Sequence, residues 1–353
     1  MNIQAKQQYM ETLRETYWKG NRKKKTEILD EYCRNTNQER KYAIKKFRFK
    51  IRLKETRKKR KEYYDGPVKA ALAEIWKIFD FPCGMRLHPL LNTETEKLIK
   101  NKEIVCSHEV LKKLKEITIA TIDRKLRHEK EVLSLNRKYE KKKLMFCHKI
   151  PIKTSAEFDR NIIGHTEVDF VESCGSSASG EYVNNLSVVD VSTGWFEGEA
   201  IIGKSQERAV GAIKNVRTRL PFPLLGVHPD NGTNLINALL QVIGYLRYDT
   251  EEEMDLINDI YRNELRLFKN FFQPVIKLEK KVRIKGKIHR KYEEAKTPYH
   301  RIMESDRIDI KTKDELRLIY ENTNLAETKR RLDKKLDNLV KIYKKKKGFT
   351  NGR

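Results

Sequence analysis

The stretch GVHPDNGTNLIN, residues 226–237, follows a run of mainly apolar residues that begins at Pro223. This run indicates a short buried strand, and the Pro-Asp-Asn-Gly segment after it is typical of a tight turn. Thr233 then stands where the N-cap of a new helix is expected. Asp230 is therefore predicted at the tip of a strand, where it can bind a hard cation such as Mg²⁺ if a neighbouring strand supplies a second carboxylate.

Alternating and β-rich patterns upstream predict three consecutive strands, typical of an antiparallel meander. They lie at residues 165–171, 182–191 and 195–202. A helix opened by Ser205 follows, and its apolar positions are Ala209, Ile213, Val216 and Leu220. The order is then β-β-β-α-β-α, with Asp169 in the first strand and Asp230 at the end of the fourth.

The charge of the chain favours a polyanionic partner. The 353 residues include 76 Lys and Arg against 50 Asp and Glu, a formal net charge of +26. Nucleic acid fits this excess better than a membrane does, because no basic amphipathic helix has a clean apolar face. Residues 1–65 hold 21 basic and 9 acidic residues, whereas residues 161–240 hold 5 and 9. An acidic module within a basic chain suits a metal-binding catalytic core between DNA-holding arms.

Other protein classes find little support in the sequence. No run of about 18 apolar residues is present, and residues 1–19 lack the apolar core of a signal peptide, so a cytoplasmic protein is expected. The cysteines are odd in number and lack CxxC spacing, which favours reduced thiols over disulfides or a zinc site. They are Cys33, Cys83, Cys106, Cys147 and Cys174.

Three short helices are predicted over residues 4–48, with a polar break at Thr36 and Asn37. Two helices split by a short turn fit a helix-turn-helix, whose second helix would enter a major groove. Its candidate DNA-contacting residues are Arg40, Lys41, Lys45 and Lys46. A helical hairpin with a solvated basic face is the alternative interpretation.

A dense basic run covers residues 45–61, with eleven basic residues and one acid. Such a run is often a solvated linker, but its density of positive charge favours phosphate contact. Its most basic part consists of Arg57, Lys58, Lys59 and Arg60.

A second pair of helices is predicted over residues 92–128, with Ser107 and Thr118 as caps. It follows a helix that has Leu72, Ile75, Trp76 and Phe79 on one face. The second helix of the pair is expected to turn three side chains outward, toward phosphates and base edges. These are Thr121, Arg124 and Lys125.

Several motifs together resemble a known family. They are Glu167-Val168-Asp169, residues 189–195 (VDVSTGW), residues 228–233 (HPDNGT), residues 270–274 (NFFQP) and residues 296–299 (KTPY). The chain is similar, from about residue 5 to 305, to the retroviral-integrase-type DDE transposases of bacterial insertion sequences. The catalytic core of that family has a ribonuclease-H-like fold.

The resemblance implies strand transfer at phosphodiesters, dependent on Mg²⁺ or Mn²⁺. Asp169 and Asp230 match the first two metal ligands of the family, whereas Asp190 matches a position that is not catalytic. His165 and His228 are expected to be structural. The implied partners are double-stranded DNA, as transposon ends and target, and further copies of the chain on that DNA, within the bacterial cytoplasm at the nucleoid.

The third acidic residue of the family has no clear counterpart. The family carries it on a helix reached through a further helix and a fifth strand, yet only nineteen residues here separate Asp230 from the helix opening at Thr250. That length is too short for those elements. The apolar stripe of the helix after Thr250 is predicted to consist of Met254, Ile257, Tyr261, Leu265, Phe268 and Phe272. Glu264 is a weak substitute, because helical geometry places it about 80° from this stripe and predicts a flanking surface charge.

After Pro274, residues 275–290 are expected to form a small hairpin-like DNA-contacting element. One or two charged helices are predicted over residues 311–347, for self-association or DNA backbone contact. Their apolar positions are Leu316, Ile319, Leu332, Leu336, Leu339 and Ile342.

The sequence thus predicts a multidomain α and α/β protein. Its predicted domains are a helix-turn-helix unit with a basic run (1–65), a second helical DNA-binding unit (66–128), a charged linker (129–160), a truncated integrase-type core with a mixed sheet (161–272) and a basic C-terminal region (273–353). The core is expected to lack the fifth strand and the glutamate-bearing helix through an internal deletion.

The expected function is that of a transposase-like protein that binds DNA, binds Mg²⁺ weakly and transfers strands poorly or not at all. A non-catalytic protein that occupies transposon ends, like a repressor, is the main alternative. A ribonuclease-H-type nuclease acting on hybrids is a weaker one, because the tandem helical units argue against it.

Overall fold

The computed structural model describes residues 1–48, 62–140, 161–229, 242–244, 246–284 and 287–348. The chain divides into two compact units, Met1–Tyr63 and Tyr64–Arg353. The finer predicted boundaries at residues 128, 160 and 272 stay predictions.

The first unit contains the three predicted helices. They are α1 (Ile3–Lys19), α2 (Arg22–Thr36) and α3 (Arg40–Arg48). Their shared core includes the fully buried rings of Tyr32 and Phe47, which meet edge to face at 5.2 Å between centroids. Asn37 ends α2 in the left-handed conformation with φ of 55°, a geometry that asparagine tolerates well. This residue makes the sharp turn into α3.

The second unit begins with a cluster of short helices. They are α4 (Gly66–Ile78), α5 (Gly84–Thr93), α6 (Thr95–Lys100), α7 (His108–Glu116), α8 (Ile119–Lys125) and α9 (Arg127–Glu140). The predicted apolar face of α4 is confirmed, since Leu72, Ile75 and Trp76 are buried. The charged linker predicted from residue 129 begins as α9, whose Lys130 pairs with Asp123 at 2.5 Å. The rest of that linker, residues 141–160, lies outside the described residues.

A four-stranded mixed sheet follows, in the order β3-β2-β1-β4. The strands are β1 (His165–Glu172), β2 (Val183–Asp190), β3 (Phe196–Ile202) and, after helix α10 (Gln206–Arg217), β4 (Gly226–Pro229). The first three form the predicted antiparallel meander, and β4 runs parallel to β1. The predicted apolar run starts at Pro223, but the fourth strand begins three residues later, at Gly226.

The two faces of the sheet carry different helices. On one face Val168, Leu186 and Val188 pack with Ala212 and Val216 of α10. Of the predicted stripe, Val216 is buried here and Ile213 and Leu220 pack against the cluster, whereas Ala212 was not among the predicted positions. Side chains alternate along a strand, so Asp169 and Val171 lie on the opposite face. Val171 there belongs to the large core of the second unit.

That opposite face is covered by a long helix with a π-helical turn in its middle. Its parts are α11 (Glu251–Ile260), the π-helical turn (Tyr261–Leu265) and α12 (Arg266–Phe272). Thr250 and Glu253 form a capping box at its start, in agreement with the predicted cap. The predicted apolar stripe is confirmed as well, with Ile257, Tyr261 and Leu265 almost completely buried.

Two asparagines of this helix bind the outer edge of β3. The Asn258 side chain accepts from the Ala200 amide at 2.7 Å and donates to its carbonyl at 2.9 Å. Asn270 does the same for Phe196, at 2.7 and 2.8 Å. Backbone groups that an edge strand would leave unpaired are thereby satisfied.

The C-terminal part contains the predicted hairpin and helices. They are β5 (Leu278–Ile284), β6 (Lys287–Tyr292), α13 (Pro298–Glu304), α14 (Ile310–Asn322) and α15 (Leu325–Lys346). Leu316, Leu332 and Leu339 are buried in the same core as Tyr261. These apolar positions therefore pack within the chain. Among the described helices, none is both long and apolar enough to cross a membrane.

Candidate functional site

Asp169 lies half-buried near the middle of β1, directly opposite Ser187 of β2. On its other side β1 pairs in parallel with β4, and the last described pair is Val168 with Pro229. Asp230 and Thr233 lie outside the described residues. The described part therefore contains one of the two predicted metal ligands. This residue, Asp169, directly follows the last described residue of β1 that pairs with β4.

The two histidines of this region contact each other. His165 Nδ1 and His228 Nε2 are 3.1 Å apart, which joins β1 to β4. A Cβ atom on Gly226 would come within 2.7 Å of His165 Nδ1, so glycine is needed for this close approach. The contact joins two strands, and the expectation that both histidines are structural stays a prediction.

Asp190 has a structural environment. Its buried carboxylate accepts from the Gly164 amide and from the amide and hydroxyl of Thr193, each at 2.7 Å. Burial raises the pKa of Asp190, while these hydrogen bonds oppose that rise. The carboxylate thus fixes the β2–β3 turn against the start of β1.

Glu264 was expected as a flanking surface charge, and this expectation is wrong. Its side chain is buried in the π-helical turn and accepts a hydrogen bond from Lys335 of α15 at 2.6 Å. Tyr261, three residues earlier, faces the sheet and donates to Asn185 of β2 at 3.0 Å. A π-helical turn holds more residues than an α-helical one, so a calculation at α-helical spacing misplaces the residues within it.

A buried charge network on β3 was not predicted. Glu197 and Glu199 are almost completely buried and bind three arginines from α12, the π-helical turn and the segment after α10. The ion pairs are Glu197–Arg266 at 2.7 Å, Glu197–Arg219 at 3.2 Å, Glu199–Arg219 at 3.0 Å and Glu199–Arg262. The alternation of FEGEA placed both glutamates on one face, but their partners come from residues that are distant in sequence.

No metal cluster is present in the described part of the chain, where no three His, Cys, Asp or Glu side chains come together in a suitable way. The carboxylates of Glu197, Glu199 and Glu264 are held by Arg or Lys side chains. Asp169 and Asp230 therefore remain the only predicted ligand pair, and only Asp169 belongs to the described residues.

Helix α3 presents a basic and aromatic surface. Lys41 and Lys45 are exposed, one helical turn apart. Tyr42 is 51% exposed, and the Lys46 ammonium lies 4.9 Å from the centre of its ring. Arg40 forms an ion pair with Asp30 of α2. The predicted contacts Arg57, Lys58, Lys59 and Arg60 lie outside the described residues.

The second helical pair differs from its prediction in one side chain. Ser107 caps α7 as expected, but Thr121 of α8 is buried, so the expectation that it points outward is wrong. Its hydroxyl accepts from Thr118, which makes no cap hydrogen bond to the backbone. Lys125 donates to the Tyr64 carbonyl at 2.6 Å. Arg124 is exposed and is the most accessible of the three predicted contacts.

Comparison with known proteins finds a relative but no family. No family model matches the chain. The uncharacterized protein y4rM of Sinorhizobium fredii is 26% identical over 330 residues, which cover 83% of this chain and 93% of that protein.

Proposed function

We propose that this protein binds duplex DNA and is built on the plan of a DDE transposase with a ribonuclease-H-like core, and that its strand-transfer activity is impaired. The observation that carries the proposal is the sheet order β3-β2-β1-β4 with β4 parallel to β1. That topology supports the resemblance first found in short motifs.

The parallel register supports a paired-carboxylate site. The parallel pairing runs up to Val168 and Pro229, the residues that directly precede Asp169 and Asp230 in the sequence. Neighbouring strands lie about 4.8 Å apart, close enough for two carboxylates to share a cation. Bound Mg²⁺ would activate the attacking oxygen and stabilise the leaving oxygen of a phosphodiester. The two aspartates would hold the metal at the sheet.

The impairment rests on the third acid. Glu264 is hydrogen-bonded to Lys335 of α15, whereas Tyr261 of the same turn is the residue that contacts the sheet. Only nineteen residues separate Asp230 from Thr250, too few for the strand and helix that lead to the third acid in the family. Metal held by two carboxylates instead of three would bind weakly and in poor geometry.

Strand-transfer and 3′-end cleavage assays test the impairment, with Mg²⁺ or Mn²⁺ and duplexes that carry transposon ends. We expect rates at background level for the full-length protein. Clear activity that Asp230→Ala abolishes would contradict the proposed impairment. Activity that Glu264→Gln also removes would mean that Glu264 leaves Lys335 and serves as the third acid.

A second candidate function is a repressor-like protein that occupies transposon ends without cutting them. The intact α3 surface favours it, because Lys41 and Lys45 are exposed beside an exposed tyrosine. We expect Lys41→Gln with Lys45→Gln to weaken duplex binding at least tenfold in a titration, since each lost phosphate contact weakens binding several-fold at moderate salt. Arg22→Gln with Lys23→Gln on α2 is the matched control. Equal losses in both variants would exclude α3 as the reader.

A further inference from the structure

The β5–β6 hairpin is a two-stranded ribbon with two solvent-exposed faces. All six residues of β6 are exposed, and so are five residues of β5, Leu278 to Lys281 and Arg283. The basic residues of the two strands are Lys280, Lys281, Arg283, Lys287, Arg290 and Lys291. Glu279 is the one acidic residue in either strand, and it pairs with Lys291 at 2.8 Å.

The charges of the ribbon oppose its own folding. Lys281 lies directly opposite Arg290, and Lys280 lies opposite Lys291. Like charges at directly opposed positions destabilise a strand pair, and a two-stranded hairpin is only marginally stable by itself. Charged edges also prevent strands from pairing between molecules, but that purpose does not require like charges to face each other. A polyanionic partner would turn the same charges into favourable contacts.

The base of the ribbon is firmly attached to the second unit. Val275 and Lys296 exchange backbone hydrogen bonds at 2.8 and 3.3 Å just below the strands. Arg301 of α13, largely buried, pairs with Glu293 at 2.8 Å and donates to the Val275 carbonyl. The ribbon is therefore held at its base while its strands stay exposed.

The shape of the ribbon selects the kind of polyanion. Strands of six or seven residues span about 20 Å, and the major groove of B-form DNA, about 12 Å wide, admits a two-stranded ribbon. The major groove of duplex RNA is too narrow and deep for this. Register and alternation place Lys281, Arg283 and Arg290 on one face, together with Ile288, which is 48% exposed. Arginine pairs well with guanine edges in that groove.

We propose that the β5–β6 ribbon lies in the major groove of duplex DNA, with the face of Lys281, Arg283 and Arg290 toward the bases. The lysines of the other face, Lys280, Lys287 and Lys291, then reach the flanking phosphates. This inference rests on the proposed DNA-binding function and adds a second contact surface to α3.

The test compares two triple variants of the full chain in anisotropy titrations with a labelled 25-base-pair duplex. The ribbon variant carries Lys281→Gln, Arg283→Gln and Arg290→Gln. The control variant removes the same charge from the exposed side of α15 through Lys334→Gln, Lys341→Gln and Lys344→Gln. We expect the ribbon variant to bind at least tenfold more weakly and to lower the slope of log affinity against log salt by about two to three, while the control changes affinity less than threefold.

Two further measurements separate the possible causes. The midpoint of chemical unfolding should stay unchanged or rise for the ribbon variant, because cross-strand repulsion is removed, so that lost binding cannot be ascribed to misfolding. A duplex whose major groove is filled by glucosylated hydroxymethylcytosine should lower wild-type affinity at least to that of the ribbon variant, and it should weaken the ribbon variant less than the wild type.

The inference fails if the ribbon and control variants weaken binding equally, if the glucosylated duplex binds as tightly as the plain one, or if duplex RNA or polyglutamate binds the ribbon as tightly as DNA does. Absence of any duplex binding by the wild-type chain would instead contradict the proposed function itself.

Discussion

The two edges of the four-stranded sheet differ in what borders them. At the β3 edge, Asn258 and Asn270 bind the outward backbone groups of Ala200 and Phe196. At the β4 edge, Val227 is 41% exposed although its partner in β1, Thr166, is completely buried. The β3 edge is therefore closed by side chains of the long helix, whereas the sheet face around β4 is only partly covered.

This difference locates the proposed deletion. A strand added at the β3 edge would have to displace two buried asparagines, so a fifth strand belongs at the β4 edge. The chain leaves β4 into residues 230–241, which lie outside the described residues, and soon reaches the long helix at Glu251. The long helix binds the β3 edge of the sheet, and the proposed loss lies after β4 in the sequence.

The largest effect on the free energy of unfolding is expected from removing an asparagine that binds the β3 edge. Asn270→Leu leaves the amide and the carbonyl of Phe196 without their partners, and each such group costs about 1–3 kcal/mol. We expect the free energy of unfolding, measured by chemical denaturation, to fall by about 2–4 kcal/mol. Asn263→Ala, at an exposed position of the same helix, is the control and should have little effect. Equal stability of both variants would mean that the β3 edge does not depend on Asn270.

A smaller effect is expected at the contact between α15 and the long helix, where Lys335 binds Glu264. Glu264→Gln keeps the shape but loses the charge-assisted hydrogen bond to Lys335, while Lys335 retains Asp259 at 2.5 Å. We expect a loss of about 1–2 kcal/mol in unfolding free energy. Asp259→Asn, whose side chain is 45% exposed, should cost less. The reverse order would show that burial of Glu264 contributes nothing to the packing of α15.

Acid should lower the stability that the ion pair between Glu103 and Arg330 of α15 contributes. The hydrogen bond from Arg330 of α15 lowers the pKa of Glu103. The stabilisation from this carboxylate is therefore complete above the ordinary glutamate pKa of about 4.3 and disappears as the pH falls through the lower folded value. Glu103→Gln should flatten the pH dependence of unfolding free energy in that acidic range. Glu327→Gln, on the exposed side of α15, is the charge control, and an equal flattening there would contradict the assignment.

The smallest effect is expected at the partly covered edge. Val227→Ser should change the unfolding free energy by about 0.5 kcal/mol or less, as surface substitutions do. Val188→Ser, on the same face but in the buried centre of the sheet, should cost several times more because it places a hydroxyl in an apolar core. Similar costs at both positions would show that β4 is covered in solution, and the contrast between the two edges would fail.

Local patterns in the sequence were sufficient to predict most of the elements. Alternation predicted the meander of β1 to β3, and capping residues such as Ser107 and Thr250 marked helix starts that the structure confirms. The spacing of Ile257, Tyr261 and Leu265 predicted the buried side of the long helix. Such features depend on neighbours within a few residues, which the sequence contains directly.

Only the tertiary structure decided how individual polar side chains are used. Glu264 is buried because α15, about seventy residues later, brings Lys335 to it. Thr121 turns inward because its hydroxyl finds Thr118, and Asn270 is buried because an edge strand needs its amide. The sequence by itself determined most of the strands and helices, and it predicts Asp169 and Asp230 as metal ligands. The partner of each polar group depends on contacts between distant segments, because a buried polar group is stable only where the fold supplies a hydrogen-bond partner.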